Sequence, residues 1–124
     1  MSVLAGHAAS RSMRSNVCYG GYITPVDSQG FHVCGATFQP WLNHSDVLAD
    51  DDVRNIANLA QSVPALHGLT DVRGAWAAVR ATSPDHMPIV GALDDGLWLS
   101  LAHGSHGLSS GPLAARLICA QLLG

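Results

Sequence analysis

The first third of the chain contains two short runs whose apolar and polar positions are typical of β-strands. The run 17–25 is rich in aromatic and β-branched residues and ends at Pro25. The turn-forming sequence 27–30 separates it from a second run, 31–38. We therefore expect an antiparallel hairpin, preceded by an irregular lead-in over residues 1–15, where Ser, Ala and Arg follow little periodicity.

Two helices are predicted from apolar residues at helical spacing. The first follows Asp50, Asp51 and Asp52 and ends at Pro64. Three carboxylates at a helix start complement the helix dipole, and one of them can cap the first turn, which favours a helix start over a metal site. The second helical run, 108–123, is apolar nearly all round, so we expect it to be buried on most sides.

Three further strands are predicted between these helices. Residues 70–81 alternate in a way that predicts a long strand. The two-proline connector 84–91 leads into a short strand, and the turn 94–96 precedes an apolar strand at 97–101. The fold class is therefore α+β, an antiparallel or mixed sheet with two main helices. We expect a single domain over residues 16–124, which could also be the tail of a larger fold.

Composition and charge exclude several classes of protein. Apolar residues make up 48% of the chain and charged residues only 12%, so the surface either needs a partner to cover it or relies on uncharged polar groups for solubility. Six scattered arginines and a net charge of −3 provide no electrostatic footprint for nucleic acid. No apolar run reaches the ~18 residues of a membrane span, so we expect no membrane partner.

The three cysteines form neither a disulfide framework nor a metal-ligand set. Cys18, Cys34 and Cys119 are odd in number and lack metal-ligand spacing. Cys18 and Cys34 could face each other across the hairpin, but buried free thiols are the favoured interpretation. A reducing, cytoplasmic environment fits this pattern best.

A glycine-bearing turn, His103 to Leu108, joins the strand at 97–101 to the last helix. Glycine lets a planar or anionic group approach the backbone closely, and the helix N-terminus adds about half a positive charge. The turn is therefore either a plain structural connection or a seat for a phosphate or an electron-rich ring edge.

Two ordered motifs carry a resemblance to a known family. The first is Arg80 followed by Asp-His-x-Pro-Ile-Val-Gly at 85–91, and the second is the glycine turn at 103–108. Together with residues 18–25, they resemble the C-terminal part of the D-amino-acid-oxidase-like, FAD-dependent oxidoreductases, over about residues 16–124. Within that superfamily they most resemble the oxidoreductase half of the bifunctional enzymes of tRNA 5-methylaminomethyl-2-thiouridine biosynthesis. The fold implied is the substrate-binding half plus the last strand and helix of the FAD-binding half.

The resemblance implies oxidative cleavage of a C–N bond in an amine, with a hydride passing from the carbon attached to nitrogen to the flavin of FAD. In the tRNA-modifying relatives the group cleaved is a carboxymethylaminomethyl arm on the wobble uridine. Reduction places negative charge on one edge of the flavin ring, where donors at a helix N-terminus would stabilise it. The cofactor-binding residues implied are Pro88, Gly91, His103, Gly104, Ser105, His106, Gly107 and Leu108.

Arg80 and Tyr22 are the implied substrate-binding residues. The planar guanidinium of Arg80 can bind a substrate carboxylate through two parallel hydrogen bonds, and the alternative is an internal salt bridge with an aspartate. Tyr22 either lines the same cavity or belongs to the core or rim of the hairpin. No catalytic residue is assigned. The spacings of His86, His103 and His106 match no metal site, so these are loop histidines, and the resemblance implies that His103 or His106 contacts the flavin edge.

The chain departs from the family in two respects. It lacks the Gly-x-Gly-x-x-Gly motif that binds the ADP half of FAD, and His106 stands where arginine is more usual. We therefore expect a fragment or truncated relative that is inactive alone, whose partner is the missing FAD-binding half and whose substrate in a full-length context is tRNA. The alternatives are a non-catalytic interaction domain that forms a homo-oligomer or binds a protein, and an anion site for a free nucleotide or phosphate.

Overall fold

The computed structural model describes all 124 residues and consists of two compact units, Met1–Val79 and Arg80–Gly124. Both units combine antiparallel strands with one main helix, so the predicted α+β class is confirmed. The single domain expected over residues 16–124 stays a prediction, since compact units are defined by contacts and domains by independent folding.

A five-stranded antiparallel sheet organises the first unit. Its strands are β1 (Ser2–Ala5), β2 (Val17–Cys18), β3 (Tyr22–Ile23), β4 (Phe31–Gly35) and β5 (Val72–Ala75). They lie in the order β2-β3-β4-β1-β5. The predicted hairpin is confirmed by the pairing of β3 with β4, in which Tyr22 lies opposite Gly35 and Ile23 opposite Cys34.

The prediction of an irregular lead-in is wrong for the first strand. Strand β1 pairs with β4 on one side and β5 on the other, and the side chains of Ser2 and Leu4 are fully buried. Four residues are too few to show a periodicity, and the neighbours that bury them come from distant parts of the chain. The sheet interior is therefore occupied by a segment that carries little local signal.

Two predicted strands are shorter than expected. The run 17–25 is interrupted at Gly20, whose φ of +91° belongs to a turn, so it forms two strands of two residues each. The run 70–81 is a strand only over Val72–Ala75. Ala75 lies opposite Ser2, and the last backbone hydrogen bonds between the two strands join Trp76 and Met1.

Helix α1 (Ala49–Ser62) confirms the first predicted helix and packs against the sheet. A short 3-10 helix follows at Pro64–Leu66. The prediction that an aspartate caps the first turn is wrong, because Asp52 instead accepts a hydrogen bond from the Ser2 hydroxyl and so ties α1 to β1. One core joins these elements, and its buried residues are Leu4, Ile23, Cys34, Leu59, Leu66 and Leu69.

The second unit is a hairpin covered by one helix. Strands β6 (Ile89–Asp94) and β7 (Leu97–Leu101) pair antiparallel around a tight turn, and helix α2 (Gly107–Leu123) packs against both. A 3-10 helix at Gly104–His106 leads from β7 into α2. The predicted strand, glycine turn and helix are therefore confirmed in this order.

Helix α2 is not buried on most sides, contrary to the prediction. Ala114 is its one buried residue, whereas Leu108 is 99% exposed and Leu113 is 60% exposed. A hairpin of two strands covers only one side of a helix, so the remaining leucines face outward. Neither helix of the structure has the length and apolar character that a membrane span requires.

The cysteines are all free, but only one of them is buried. Cys34 lies in the core, which confirms the prediction of a buried free thiol for this residue. The same prediction is wrong for Cys18 and Cys119, which are exposed. Cys18 pairs with Tyr22 across the short β2–β3 ladder, so it does not face Cys34 in the sheet.

Candidate functional site

Two loops meet at one end of the β6–β7 hairpin. Ile89 begins β6 and lies opposite Leu101, which ends β7, so the segment before β6 and the turn after β7 are neighbours. A backbone bridge between Thr82 and His103 joins them. The structure thus brings together, within the second unit, the two motifs that carry the family resemblance.

Arg80 lies beside the glycine turn. Its Nη1 donates a hydrogen bond to Ser105 Oγ at 2.9 Å, and the side chain is exposed. The ion pairs of the chain are formed by His44, Arg54 and Arg73, so the alternative of an internal salt bridge for Arg80 is not realised. Its remaining N–H donors can therefore bind an anionic group such as a carboxylate.

Asp85 shapes the loop that precedes β6. Its Oδ1 accepts a hydrogen bond from the Met87 amide at 3.0 Å and shares the proton of the Ser83 hydroxyl, 2.8 Å away, with the Met87 carbonyl oxygen, which lies 2.6 Å from that hydroxyl. These hydrogen bonds, the Met87 amide first, hold the pKa of the Asp85 carboxyl below its ordinary value of 3.8. A carboxylate engaged in this way stabilises the loop and is a poor general base.

Backbone strain concentrates at the same end of the hairpin. His86, in the loop before β6, has a φ of +60°, and Ala102, between β7 and the turn, has a φ of +57°. A non-glycine residue in this region costs on the order of 1–3 kcal/mol and persists only where its surroundings hold it. Such residues cluster at functional sites, which favours a function for this end of the unit.

The glycine turn leaves the start of α2 open to a ligand. Gly104 has a φ of +56°, which explains the glycine, and a Cβ built there would lie 3.7 Å from its nearest neighbour, Thr82 Cγ2. No side chain caps α2, and its first turn contains no acidic residue. The orphan backbone N–H groups and the positive end of the helix dipole are therefore available to an electron-rich edge.

The other implied cofactor residues lie within this turn or at the start of the hairpin. Pro88 precedes β6, and Gly91 lies within it with a φ of +139° and open space where a Cβ would be. His106, Gly107 and Leu108 form the transition from the 3-10 helix into α2. Their contact with a cofactor stays a prediction.

Tyr22 belongs to the first unit and Arg80 to the second. The Tyr22 side chain is half-buried in β3, and its hydroxyl contacts the sulfur of Met1. This position on a short hairpin agrees with the rim alternative of the sequence analysis. A cavity shared by Tyr22 and Arg80 stays a prediction.

Sequence reasoning missed the two serines that hold His103. Its Nε2 lies 3.0 Å from Ser100 Oγ in β7, and its Nδ1 lies 2.8 Å from Ser110 Oγ in α2. The spacing of these residues was the available signal. A residue just after a strand, such as His103, can reach a side chain near the end of that strand, such as Ser100, and one in the first turn of the following helix, such as Ser110. Serine is too common in turns and at helix starts for that spacing to stand out.

A buried serine and histidine in the first unit have a structural role. His32 Nε2 lies 2.8 Å from Ser10 Oγ, and its Nδ1 lies 2.7 Å from the Thr24 carbonyl oxygen. Ser10 and His32 are both fully buried, so no substrate reaches the hydroxyl. The pair anchors the segment after β1 to the sheet.

The buried thiol of this unit is equally protected. The hydroxyl of Tyr19 lies 3.3 Å from Cys34 Sγ, and burial raises the pKa of both groups. Neither group is therefore ionised near neutral pH, which makes Cys34 a poor nucleophile.

Comparison with known proteins assigns the family. The sequence profile of the FAD dependent oxidoreductase family matches residues 3–121, nearly the whole chain. The chain belongs to this family. The resemblance inferred from the two motifs is therefore confirmed, and the two helices and antiparallel sheets fit a partial fold of this family.

Relatives narrow the comparison further. The chain is 35% identical over 115 residues to the tRNA 5-methylaminomethyl-2-thiouridine biosynthesis bifunctional protein MnmC of Idiomarina loihiensis, covering 91% of this chain and 19% of that protein. The MnmC proteins of Saccharophagus degradans and Nitrosospira multiformis are each 30% identical over 154 and 137 residues, covering 100% and 99% of this chain and 22% of either protein. The chain thus spans about a fifth of the length of these relatives.

The residues of the turn fit one edge of a flavin ring. The absence of a side chain at Gly104 and the uncapped start of α2 allow a planar, electron-rich edge to approach the backbone N–H groups. The ADP half of FAD is different, because the chain contains no Gly-x-Gly-x-x-Gly segment to bind it. The residues present therefore fit the ring edge of FAD and not its nucleotide.

Proposed function

We propose that this chain provides the substrate-facing and flavin-edge part of an FAD-dependent amine oxidoreductase acting on tRNA. The proposed reaction oxidises the bond between the nitrogen and the carboxymethyl carbon of the carboxymethylaminomethyl group on the wobble uridine: that carbon loses a hydride and the nitrogen a proton, and water then hydrolyses the imine, which breaks the C–N bond. The observation that carries the proposal is Arg80, an exposed guanidinium without a carboxylate partner, hydrogen-bonded to Ser105 in the turn that opens α2. The names of the MnmC relatives supply the tRNA substrate class.

Each part of this site has a separate task. FAD, when bound, supplies the acceptor for the hydride that leaves the substrate carbon. Arg80 binds the carboxylate of the substrate arm and orients the adjacent C–H bond. Backbone N–H groups between Gly104 and Leu108 would hold the electron-rich edge of the ring by donating hydrogen bonds, helped by the dipole of α2.

The proposal includes a partner for the nucleotide. Because no glycine fingerprint is present in these 124 residues, we propose that tight binding of FAD requires a nucleotide-binding segment in addition to them. Because the proposed substrate is tRNA, we propose a cytoplasmic location.

The proposed need for a nucleotide-binding segment is tested by titrating FAD into the purified chain and recording the quenching of its fluorescence. We expect no saturable binding, and a micromolar Kd would refute this part of the proposal.

The catalytic part is tested in a chimera. The segment of the Idiomarina loihiensis relative that matches this chain is replaced by the chain, and release of the carboxymethyl group from tRNA is measured. We expect Arg80→Lys to lower kcat/KM by about 10-fold to 100-fold, because a lysine loses the bidentate charge-assisted hydrogen bonds, which contribute ~1.5–3 kcal/mol.

Arg73→Lys is the matched control, since Arg73 is exposed and already paired with Asp71 at 2.6 Å. We expect it to change kcat/KM less than twofold. An Arg80→Lys chimera with the turnover and KM of its parent would remove the proposed role of Arg80.

A non-catalytic interaction domain is the second candidate function. The observation that favours it is the outward side of α2, where Leu113 and Leu117, one turn apart, are each at least half exposed. Apolar surface of this kind is uncommon on monomeric proteins and marks contacts with other proteins. Sedimentation of the chain tests self-association. A dimer that Leu117→Asp dissociates, and that the exposed-position control Val53→Asp leaves intact, supports a homo-oligomer, whereas a monomer at ~100 µM excludes it.

A further inference from the structure

We propose that His103 is a positioning residue, which fixes the 103–108 turn between β7 and α2, rather than a contact to the ligand. The hydrogen-bond part of this inference stands on the chain alone. Only its consequence for the flavin edge rests on the proposed function.

The hydrogen bonds around His103 determine where its proton lies. The Ser110 hydroxyl is 2.8 Å from the carbonyl oxygen of His106, which can only accept, so the Ser110 proton points there. Ser110 Oγ must then accept from His103 Nδ1, which lies 2.8 Å away and therefore carries the ring proton. In the neutral ring Nε2 is an acceptor, and the Ser100 hydroxyl donates to it at 3.0 Å.

This chain of hydrogen bonds links three elements of the second unit. It runs from Ser100 in β7 through His103 to Ser110 in the first turn of α2 and ends on the His106 carbonyl. The backbone reinforces it, since the His106 amide donates to the His103 carbonyl oxygen at 3.0 Å. The turn is thereby fixed on both sides.

Two features of the turn require such a link. Ala102 immediately precedes His103 with a φ of +57°, a conformation that persists only where neighbouring contacts impose it. Helix α2 has no side-chain cap at its start, so no other side chain in the cap position orients its first turn. The ring of His103 connects the strained residue to the uncapped helix and so sets the direction of the free N–H groups.

The engagement of His103 determines which groups of the site remain free to contact a ligand. Both ring nitrogens of His103 are used within the unit, so neither can bind a ligand without releasing a serine. Ligand contacts then fall to the backbone N–H groups after Gly104 and to Arg80. His103 acts on the proposed flavin edge through the backbone that it holds.

The position of the ring proton is the first test. A two-dimensional 15N–1H correlation of the histidine rings, recorded on the full chain without FAD at a pH where the rings are neutral, distinguishes the two tautomers. We expect the Nδ1–H form for His103, which is the minor tautomer of a histidine in water. His86 is the internal control, because its exposed ring makes no hydrogen bond within the chain, and it should show mainly the Nε2–H form. A His103 ring with the same signals as His86 overturns the proposal.

Two substitutions distinguish the effect of the His103 hydrogen bonds from the effect of its side-chain volume. His103→Asn keeps a donor at the position of Nδ1 and can still bond Ser110, whereas His103→Leu has a similar volume and neither hydrogen bond. We expect amide hydrogen exchange over residues 104–108 to accelerate about 10-fold in the leucine variant and less than threefold in the asparagine variant. Equal exchange in the leucine variant and the parent chain overturns the proposal. Should the leucine variant not fold, the tautomer measurement on the parent chain still decides.

The final measurement addresses the ligand. In the chimera described above, His103→Asn should leave the Kd for FAD within about threefold of the parent. A loss of 10-fold or more in this variant would show that the ring itself contacts the flavin. A chimera that does not bind FAD at all refutes the proposed function and leaves the hydrogen-bond measurements on the isolated chain unaffected.

Discussion

Substitution of Leu4 by alanine probes the segment whose structure differed most from its sequence pattern. Leu4 is fully buried in β1, between β4 and β5, and belongs to the same core cluster as Ile23 and Leu59. If this strand lies in the interior of the sheet, removing its largest buried side chain leaves a cavity at the centre of the unit.

The magnitude follows from the size of the core. A buried Leu→Ala substitution costs about 2–5 kcal/mol, depending on how far the surroundings collapse into the cavity. The cluster contains only six buried residues, held by a sheet on one side and α1 on the other, so little material can fill the gap. We therefore expect a loss of about 3–5 kcal/mol in the free energy of unfolding, and a decrease in Tm of about 12–40 °C for a unit of this size.

Urea unfolding followed by circular dichroism and tryptophan fluorescence measures this loss. Val53→Ala is the control in the same unit, because Val53 is 64% exposed on α1 and its substitution should change the free energy of unfolding by less than about 0.5 kcal/mol. A loss below about 1 kcal/mol for Leu4→Ala, with an unchanged m-value, would refute the burial of β1 and the reasoning built on it.

Three further predictions follow from single contacts. Asn55→Ala removes the 2.9 Å hydrogen bond that the Asn55 amide donates to the Ser2 hydroxyl in β1 and should lower the free energy of unfolding by about 1–3 kcal/mol in the same urea assay. A decrease of less than about 0.5 kcal/mol would contradict this prediction. Because the pKa of Asp85 lies below its ordinary value of 3.8, its hydrogen bonds stabilise the folded loop above that pH and are lost as the pH falls through the lower folded-state pKa. A carboxyl 13C titration midpoint at or above 3.8 is incompatible with this. Cys18 and Cys119 should react with a disulfide reagent in the native protein and Cys34 only in denaturant, whereas three equal rates would show that the core thiol is accessible.

Sequence patterns succeeded where the signal is local. The helix after Asp50, the tight turn before Leu97 and the order of strand, glycine turn and helix depend on residues within a few positions of each other. The family was inferred from two ordered motifs, Arg80 with residues 85–91 and the glycine turn at 103–108, and the family comparison confirms it. These features rest on helix propensity, turn conformation and motif spacing, which a short segment carries by itself.

Contacts between distant residues escaped the same analysis. Ser2 is buried because Asn55 and Asp52 on α1 bond its hydroxyl, and nothing within residues 1–15 indicates that partner. The spacing of apolar residues correctly predicted helix α2. That spacing does not show how many other elements pack against the helix, so the exposure of its leucines could not be predicted.

The family of this protein, its α+β class and the position of the glycine turn can be inferred from the amino-acid order, because they depend on local propensity and on ordered motifs. The burial of Ser2–Ala5 inside the sheet, the absence of a carboxylate partner for Arg80 and the two serines that hold His103 are visible only in the folded chain. Burial, charge pairing and the position of a ring proton depend on groups that folding brings together. Their identity is distributed over the chain, and no single segment contains it.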